Sequence, residues 1–522
     1  MNWIRNHPVR AVSKTVITLM LAVLGGYLGF QLAQPPMFVV GPIAQGLFTI
    51  LGAALPCTIG MLLMWLEVRG RLSLAARIRR VLLLAVAALG VVFGVIAGYQ
   101  AYLYGMVPPI GTDYLATYDR LWSALDRAYP YFEQKELDRD ELYSHYRTFV
   151  AEAEKPETFH RVVGEMLLSF HDTHTGLLQP PKEARCCFAL TREIEGRAIV
   201  TTAGPIAEAA GLARGDEILE INGLPLEQAL DRVPARLRNG STPWLERYHS
   251  FNYLLSTAQP DDSLVVTFQD EAGADHEVTL SWPVEGSTSQ TTGNPAPLIT
   301  GERLASGVGL IRIPTLSAGP NHDLVAEFDA ALDPLMDSPG LILDLRGSNG
   351  GSSELGGAMA GRFLDEPIMF GYELYPARLA IRGFIGKAEH VVSPRADHYS
   401  GPLVLLLDEQ VVSSSEWLAV ALIDSGRASS VGRRTAGASG NPLTFKLGNG
   451  ALLRYSTADF RRMDGSSLEG VGLEPSVAVQ WTLDDIRQGR DPDVEQAQLL
   501  ISRALSTCDF DCGKAALNIA LP

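Results

Sequence analysis

Cysteine is scarce in this chain, five in 522 residues. That scarcity excludes a disulfide-built scaffold. Cys57 lies in an apolar run and Cys186 and Cys187 are adjacent, which is not the spacing of a structural zinc site. Only Cys508 and Cys512 stand at a distance that a local disulfide in an oxidising compartment would accept. Charge is missing altogether from Thr15 to Leu66 and from Val81 to Thr112, where there is no Asp, Glu, Lys or Arg. Soluble domains do not carry runs of this kind; membranes demand them. Positive charge is short in the remainder: residues 1–112 hold eight Lys/Arg against one Asp/Glu, leaving 35 against 58. The two parts are therefore +7 and −23, and an acidic soluble portion excludes nucleic acid as the partner, since phosphate binding needs clustered cations. What is present, 47% apolar residues and a mean hydropathy of +0.09, excludes a disordered or collagen-like chain.

A helix needs about 20 apolar residues to cross the hydrocarbon layer. The first uncharged run has room for two crossings with a turn at Gln34-Pro35-Pro36, so spans are expected near 15–33, 43–66 and 81–104. Arg5, Arg10 and Lys14 precede the first span, and Arg69, Arg71, Arg77, Arg79 and Arg80 fill the loop between the second and third. Basic loops stay in the cytoplasm, so residues 1–112 form a multi-pass segment of the cell (inner) membrane that delivers the rest to the periplasmic or extracellular side. The lipid bilayer is thus an expected partner. A cleavable signal peptide in place of the first span would need a small-residue cleavage site that Gly25, Gly26 and the Gln-Pro-Pro do not supply.

In residues 113–183, Leu121, Leu125 and Tyr129, then Val162, Val163, Met166 and Leu167, recur at three and four residues, which predicts a helical cap. It ends in Asp172-Thr173-His174-Thr175, a polar corner. Residues 184–283 are β-rich and centre on Ala203-Gly204-Pro205 through Gly215-Asp216-Glu217 to Ile221-Asn222-Gly223, where Asn-Gly signals a tight hairpin. This order of short helix, Gly-Asp turn, strand and hairpin resembles a PDZ domain, which binds an extended peptide as an added strand. The carboxylate-binding Gly-Leu-Gly-Phe loop of such domains is not visible. Residues 284–302 read as a linker, 303–480 as an α/β layered domain, and 481–522 as a C-terminal helix with a Cys-containing tail. In 303–480, strand-like runs at 308–313, 341–345 and 403–407 alternate with helical stretches at 322–336, 353–363 and 416–423.

Three motifs carry chemistry. Gly340-Leu341-Ile342-Leu343-Asp344-Leu345-Arg346-Gly347-Ser348-Asn349-Gly350-Gly351 is a buried strand running into a glycine-rich turn, which suits an oxyanion cradle, a phosphate cradle or an ordinary strand-to-helix connection. Val412-Ser413-Ser414-Ser415-Glu416 opens an apolar helix, where a serine is either a nucleophile favoured by the helix N-terminus or, with Glu416 three residues on, a capping box. Asp172-Thr173-His174-Thr175 presents an imidazole; a metal on His171, Asp172 and His174 would need further ligands that do not cluster nearby, and no cofactor or metal is expected.

In this order the motifs resemble the carboxy-terminal processing peptidases, or tail-specific proteases, across roughly residues 115–480. Asp424, eleven residues after Ser413, matches bacterial members. The resemblance implies a ClpP/crotonase-like layered α/β core with an inserted PDZ domain, Ser413 as nucleophile, and Gly350, Gly351 and Ser414 as oxyanion hole, with Arg346 and Asp424 supporting. One position departs. Members with a Ser/Lys dyad carry Thr-x-Gly-Lys about 25 residues after the serine, and this chain reads Thr435-Ala436-Gly437-Ala438. Tricorn-like members use a histidine and a glutamate instead, which implies His174 as general base, Glu469 of Leu468-Glu469-Gly470 orienting it, and Thr173 assisting; Lys446 is the alternative base. The expected function is a membrane-anchored serine endopeptidase that takes a polypeptide through its PDZ domain, with kcat/KM rising through an imidazole pKa of roughly 6 to 7. A catalytically silent PDZ scaffold or sensor for exported proteins is the alternative, favoured by Ala438.

Overall fold

The computed structural model describes residues 113–178, 187–257, 263–282, 297–317, 319, 321–376, 386–446 and 452–508. The three expected spans, Cys57, Cys186, Cys512 and most of the linker lie outside these residues. Among the described residues no helix is long and apolar enough to cross a membrane.

Helices Tyr114–Ala128, Arg139–Ala151 and Pro156–Leu168 form the cap. The first two are capped by Asp113 and Asp138, whose carboxylates accept from the exposed N–H groups of the first turn, and the third starts on Pro156, which has no N–H to satisfy. Tyr118, Leu121, Leu125, Val162, Val163, Met166 and Leu167 pack together, so the helical period was read correctly. The sequence gives no sign of what closes this core: Leu453 and Tyr455, from a strand almost 300 residues away, complete it. That strand, Leu452–Tyr455, pairs antiparallel with Gly176–Leu178 on one side and Leu443–Lys446 on the other.

Residues 189–281 contribute a second sheet in the order Ala189–Ile194, Arg197–Ala203, Glu217–Ile221, Ser263–Gln269, Asp275–Ser281. Asn222 and Gly223 form the two-residue turn from Glu217–Ile221 to Leu224–Pro225, with φ of 51° and 71°, the positive values such a turn needs. Helices Leu226–Arg232 and Pro243–Asn252 cover this sheet through Ala229, Leu230 and Phe251.

The third unit is a six-stranded sheet ordered Val477–Ala478, Ser429–Gly432, Leu403–Leu407, Leu341–Asp344, Gly309–Arg312, Thr300–Arg303. All neighbours are parallel except the last pair. Parallel strands are buried on both faces, and the alternation shows it. Leu341, Leu343, Leu403, Leu405 and Leu407 face helices Leu324–Leu332, Ser353–Ala360 and Ser414–Asp424. Ile342, Val404 and Leu406 face helix Pro492–Cys508 through Ala497, Leu500 and Ile501. Strands predicted at 308–313, 341–345 and 403–407 are therefore present within a residue or two.

Candidate active site

In an open parallel sheet the loops beyond the carboxyl ends of the strands gather at one edge. Here Leu341–Asp344, Leu403–Leu407 and Ser429–Gly432 are consecutive neighbours, Leu341 opposite Leu403 and Val404 opposite Ser429. The glycine turn 347–351, the serine cluster 412–415 and the segment 435–439 leave their three carboxyl ends. The glycine turn and the serine cluster, 61 residues apart from Gly351 to Val412, meet for that reason alone.

Ser413 sits at the start of helix Ser414–Asp424 with φ 59° and ψ −127°, a left-handed conformation that a serine adopts only under constraint. Its amide donates to the Ala438 carbonyl at 2.9 Å and reaches Glu416 Oε2 at 3.3 Å. The Glu416 half of the expected capping box is thus present, and it shares the residue with the strained turn. Gly350, at φ 76°, lies directly against it: a Cβ there would stand 2.8 Å from Ser413 Cβ, 2.6 Å from the Val412 carbonyl oxygen and 3.2 Å from Ser414 N. Gly351 is held by the Ser414 hydroxyl on its carbonyl at 2.8 Å and by a bridge to Leu316. Among the described residues nothing accepts from the amides of Gly350, Gly351 or Ser414.

Glu416 is fully buried and accepts from four donors: Thr435 Oγ1 at 2.5 Å, Gly437 N at 2.9 Å, Ala438 N at 3.0 Å and Ser413 N. Burial pushes its carboxyl up to about 7 against the pull of those donors. One carboxylate thereby joins the serine to the loop where dyad enzymes carry their lysine. Ala438 itself is buried beside Leu245 and Ala436.

The Asp172-Thr173-His174-Thr175 corner is a rigid turn. Asp172 accepts from His174 N at 2.8 Å, Thr175 Oγ1 at 2.8 Å and Ser456 Oγ at 2.8 Å, while Arg454 donates to the carbonyls of His174 and Thr173 at 3.1 and 2.8 Å. The Ser439 backbone, next to the Ala438 that receives the Ser413 amide, favours the protonated form of the His174 ring. Its Nδ1 is buried with no partner among the described residues. Burial first, then the Arg454 charge, lowers this imidazole to about 4, against weaker support from Asp172 and Ser439. The pH window of 6 to 7 expected from an ordinary imidazole is corrected accordingly: a desolvated ring beside a guanidinium resists protonation.

Glu469 is also fully buried and belongs to the same cluster, its Oε2 accepting from Ser439 N at 2.7 Å. It does not lie within 4 Å of a His174 ring nitrogen; its ion-pair partner is Lys135, 2.9 Å from Oε1. Burial and Asp172 raise it to about 8, with Lys135 and the Ser439 amide pulling the other way. Ser439 is therefore the common floor under His174 and Glu469.

Three of the supporting residues are elsewhere. The Thr173 hydroxyl accepts from Ser241 N at 3.0 Å and pins the corner to residues 239–242. Arg346 is locked into Asp344, Asp491 and Asp493 at 2.8 to 2.9 Å, an ion network that ties the C-terminal helix to the sheet. Asp424 closes the far end of the serine helix by pairing with Arg462 at 2.6 Å. Lys446 ends a strand of the small sheet, opposite Leu452. Sequence reading missed Lys135, Arg454 and Ser439. Lys135 sits in Glu133-Gln134-Lys135-Glu136, which reads as a solvated turn; an arginine within Leu452-Leu453-Arg454-Tyr455 was the one usable hint.

A strained serine at a helix start, adjacent backbone donors and a buried imidazole on the turn that packs by Ser439 are the parts a serine hydrolase uses. The Peptidase family S41 model matches residues 307–479, and the Tricorn protease C1 domain model matches 111–168. The carboxyl-terminal-processing protease of Picosynechococcus sp. is 26% identical over 337 residues, 61% of this chain and 72% of that protein. Carboxyl-terminal-processing peptidase 1, chloroplastic, of Arabidopsis thaliana is 25% identical over 344 residues, 63% and 64% of the two chains. The crystal structure of mature CPAF shares the fold, with a TM-score of 0.61 at 18% identity over 77% of this chain and 98% of that one. The chain carries a Peptidase family S41 match, is similar to carboxyl-terminal-processing proteases, and is a serine-type peptidase.

Proposed function

We propose that this protein is a membrane-anchored serine endopeptidase that cleaves exported polypeptides through an acyl-enzyme on Ser413. The observation that carries the reading is the convergence on Ala438-Ser439: the Ser413 amide bonds to the Ala438 carbonyl, Glu469 accepts from the Ser439 amide at 2.7 Å, and the Ser439 backbone favours protonation of the buried His174 ring. Attack by Ser413 Oγ on a peptide carbonyl forms the C–O bond while His174 takes the proton. The developing oxyanion enters the amides of Gly350, Gly351 and Ser414, which have no other acceptor among the described residues. His174 then protonates the leaving amine, and water repeats the sequence to release the acid. Glu469 stabilises the imidazolium electrostatically from within the buried cluster. The sheet of residues 189–281 acts as a PDZ domain that captures an extended segment, and spans near 15–33, 43–66 and 81–104 hold the enzyme in the cell membrane with this portion outside. The names of the related proteases suggest carboxyl-terminal segments as the substrate class.

The test is labelling of the detergent-solubilised full chain with a fluorophosphonate probe. Covalent labelling is expected, abolished by Ser413→Ala and retained by Lys446→Ala. An unreactive wild type, folded by circular dichroism, would leave the silent scaffold.

A further inference from the structure

The turn between the first two cap helices plays no part in the chemistry above, yet it is folded against the site. Gln134 Nε2 donates to the Glu469 carbonyl at 2.6 Å. Lys135 Nζ lies 2.9 Å from Glu469 Oε1 and donates to the His171 carbonyl at 2.6 Å. The Lys135 side chain is 10% exposed and that of Glu469 is 0%. Among the described residues no other cation lies within 4 Å of that carboxylate. An ammonium and a carboxylate taken out of water together stay charged only while they remain paired.

We propose that Lys135 is a positioning residue of the peptidase reaction: its ammonium fixes Glu469 in place, favours the ionised form of that carboxyl in the cluster built on Ser439, and ties the His174-bearing turn to the cap. The proposal rests on the Ser413, His174 and Glu469 reading above. Lys135 is not the missing base, because both of its partners are acceptors and neither belongs to Ser413. Its role is electrostatic. Of the groups facing Glu469, Asp172 from the base turn disfavours a second negative charge, the Ser439 amide favours it, and the Tyr129 and Tyr131 hydroxyls at the end of the first cap helix stay protonated beside it. Lys135 is the opposing charge. Without it the Glu469 carboxyl, already at about 8, rises further and holds its proton over a wider pH range, and a neutral acid does not stabilise the imidazolium formed when Ser413 is deprotonated.

The experiment measures the second-order rate of fluorophosphonate labelling of the detergent-solubilised full chain against pH, with Lys135→Met, Lys135→Arg, Glu469→Gln and the Lys135→Met/Glu469→Gln pair. Thermal unfolding of each variant checks that it is folded. Lys135→Met is expected to slow labelling on the order of tenfold, a part of the 10²–10⁴ that a positioned base contributes. It should also move to higher pH the part of the profile that follows Glu469 ionisation, about 8 in the wild type, because Lys135 pulls that carboxyl down. Lys135→Arg should restore most of the rate. In the Glu469→Gln background, Lys135→Met should add nothing, because the interaction it removes is already gone. Wild-type labelling by Lys135→Met, an unmoved pH limb, or the same loss in both backgrounds overturns the proposal and leaves Lys135 holding only the His171 carbonyl. Glu469→Gln labelling at the wild-type rate would instead overturn the base-orienting reading itself, and this proposal with it.

Discussion

Glu416→Gln isolates the device that holds the nucleophile. In the wild type each carboxylate oxygen receives two donors: Thr435 Oγ1 and Gly437 N on Oε1, Ala438 N and Ser413 N on Oε2. A glutamine has nearly the same shape, but one of its two ends is an NH₂ that must face two donors. The better orientation turns the NH₂ toward Thr435, whose hydroxyl can rotate to accept, and keeps the oxygen on Ala438 and Ser413. Gly437 N–H is then buried without an acceptor, which costs about 1–3 kcal/mol. Glu416→Ala orphans three donors, Ser413 N keeping its bond to the Ala438 carbonyl, and at about 1 kcal/mol or more apiece costs roughly 3 kcal/mol before any cavity term. In a domain of this size each kcal/mol lowers the unfolding temperature by roughly 2–4 °C. Calorimetry should therefore rank wild type above Gln above Ala, and labelling of Ser413 should slow in the same order as the strained φ relaxes. A Gln variant with both the melting temperature and the labelling rate of the wild type would refute the claim that this carboxylate constrains the serine.

Gly350→Ala should leave an assembled fold that labels poorly, by on the order of 10²-fold, the usual loss for a damaged oxyanion site. The added methyl meets Ser413 Cβ at 2.8 Å and the Val412 carbonyl oxygen at 2.6 Å, and φ 76° adds about 1–2 kcal/mol for a residue with a Cβ; wild-type labelling would show that the turn yields without consequence. The acid limb of kcat/KM, measured on a chromogenic peptide that the enzyme turns over, should lie near pH 4 for His174, since burial and Arg454 favour its neutral form. Because its folded pKa is depressed below the unfolded 6.5, the associated stability, about 3 kcal/mol, is present above pH 6.5 and lost as pH falls toward 4. A limb at pH 6 to 7 would mean that the ring is hydrated in the working enzyme.

Much of this was legible locally. Alternating Leu, Ile and Val in 341–345 and 403–407 specify two-faced strands because a parallel sheet buries both sides, and the helical period of 121–129 and 162–167 specifies the cap. Asn222-Gly223 encodes its turn in two residues. Ser413 was singled out by resemblance, and Glu416, three residues on, by the capping spacing. Arg346 and Asp424 were placed near the site on the same grounds, yet both are spent on ion pairs that hold the C-terminal helix and the far end of the serine helix. Motif membership reports that a residue matters, not which atoms it touches.

The sequence by itself determined the periodicities, the turn chemistry, the uncharged runs and the identity of the reactive groups, since each depends on neighbours within a few positions. Only the tertiary structure decided that Lys135, His174, Ser413, Ser439, Arg454 and Glu469 share one region. Their meeting depends on strand order and register, and a desolvated charge finds its partner by where the chain closes, which no local pattern encodes. The lowered pKa of His174 belongs to the second group for the same reason: burial is a property of the packed fold.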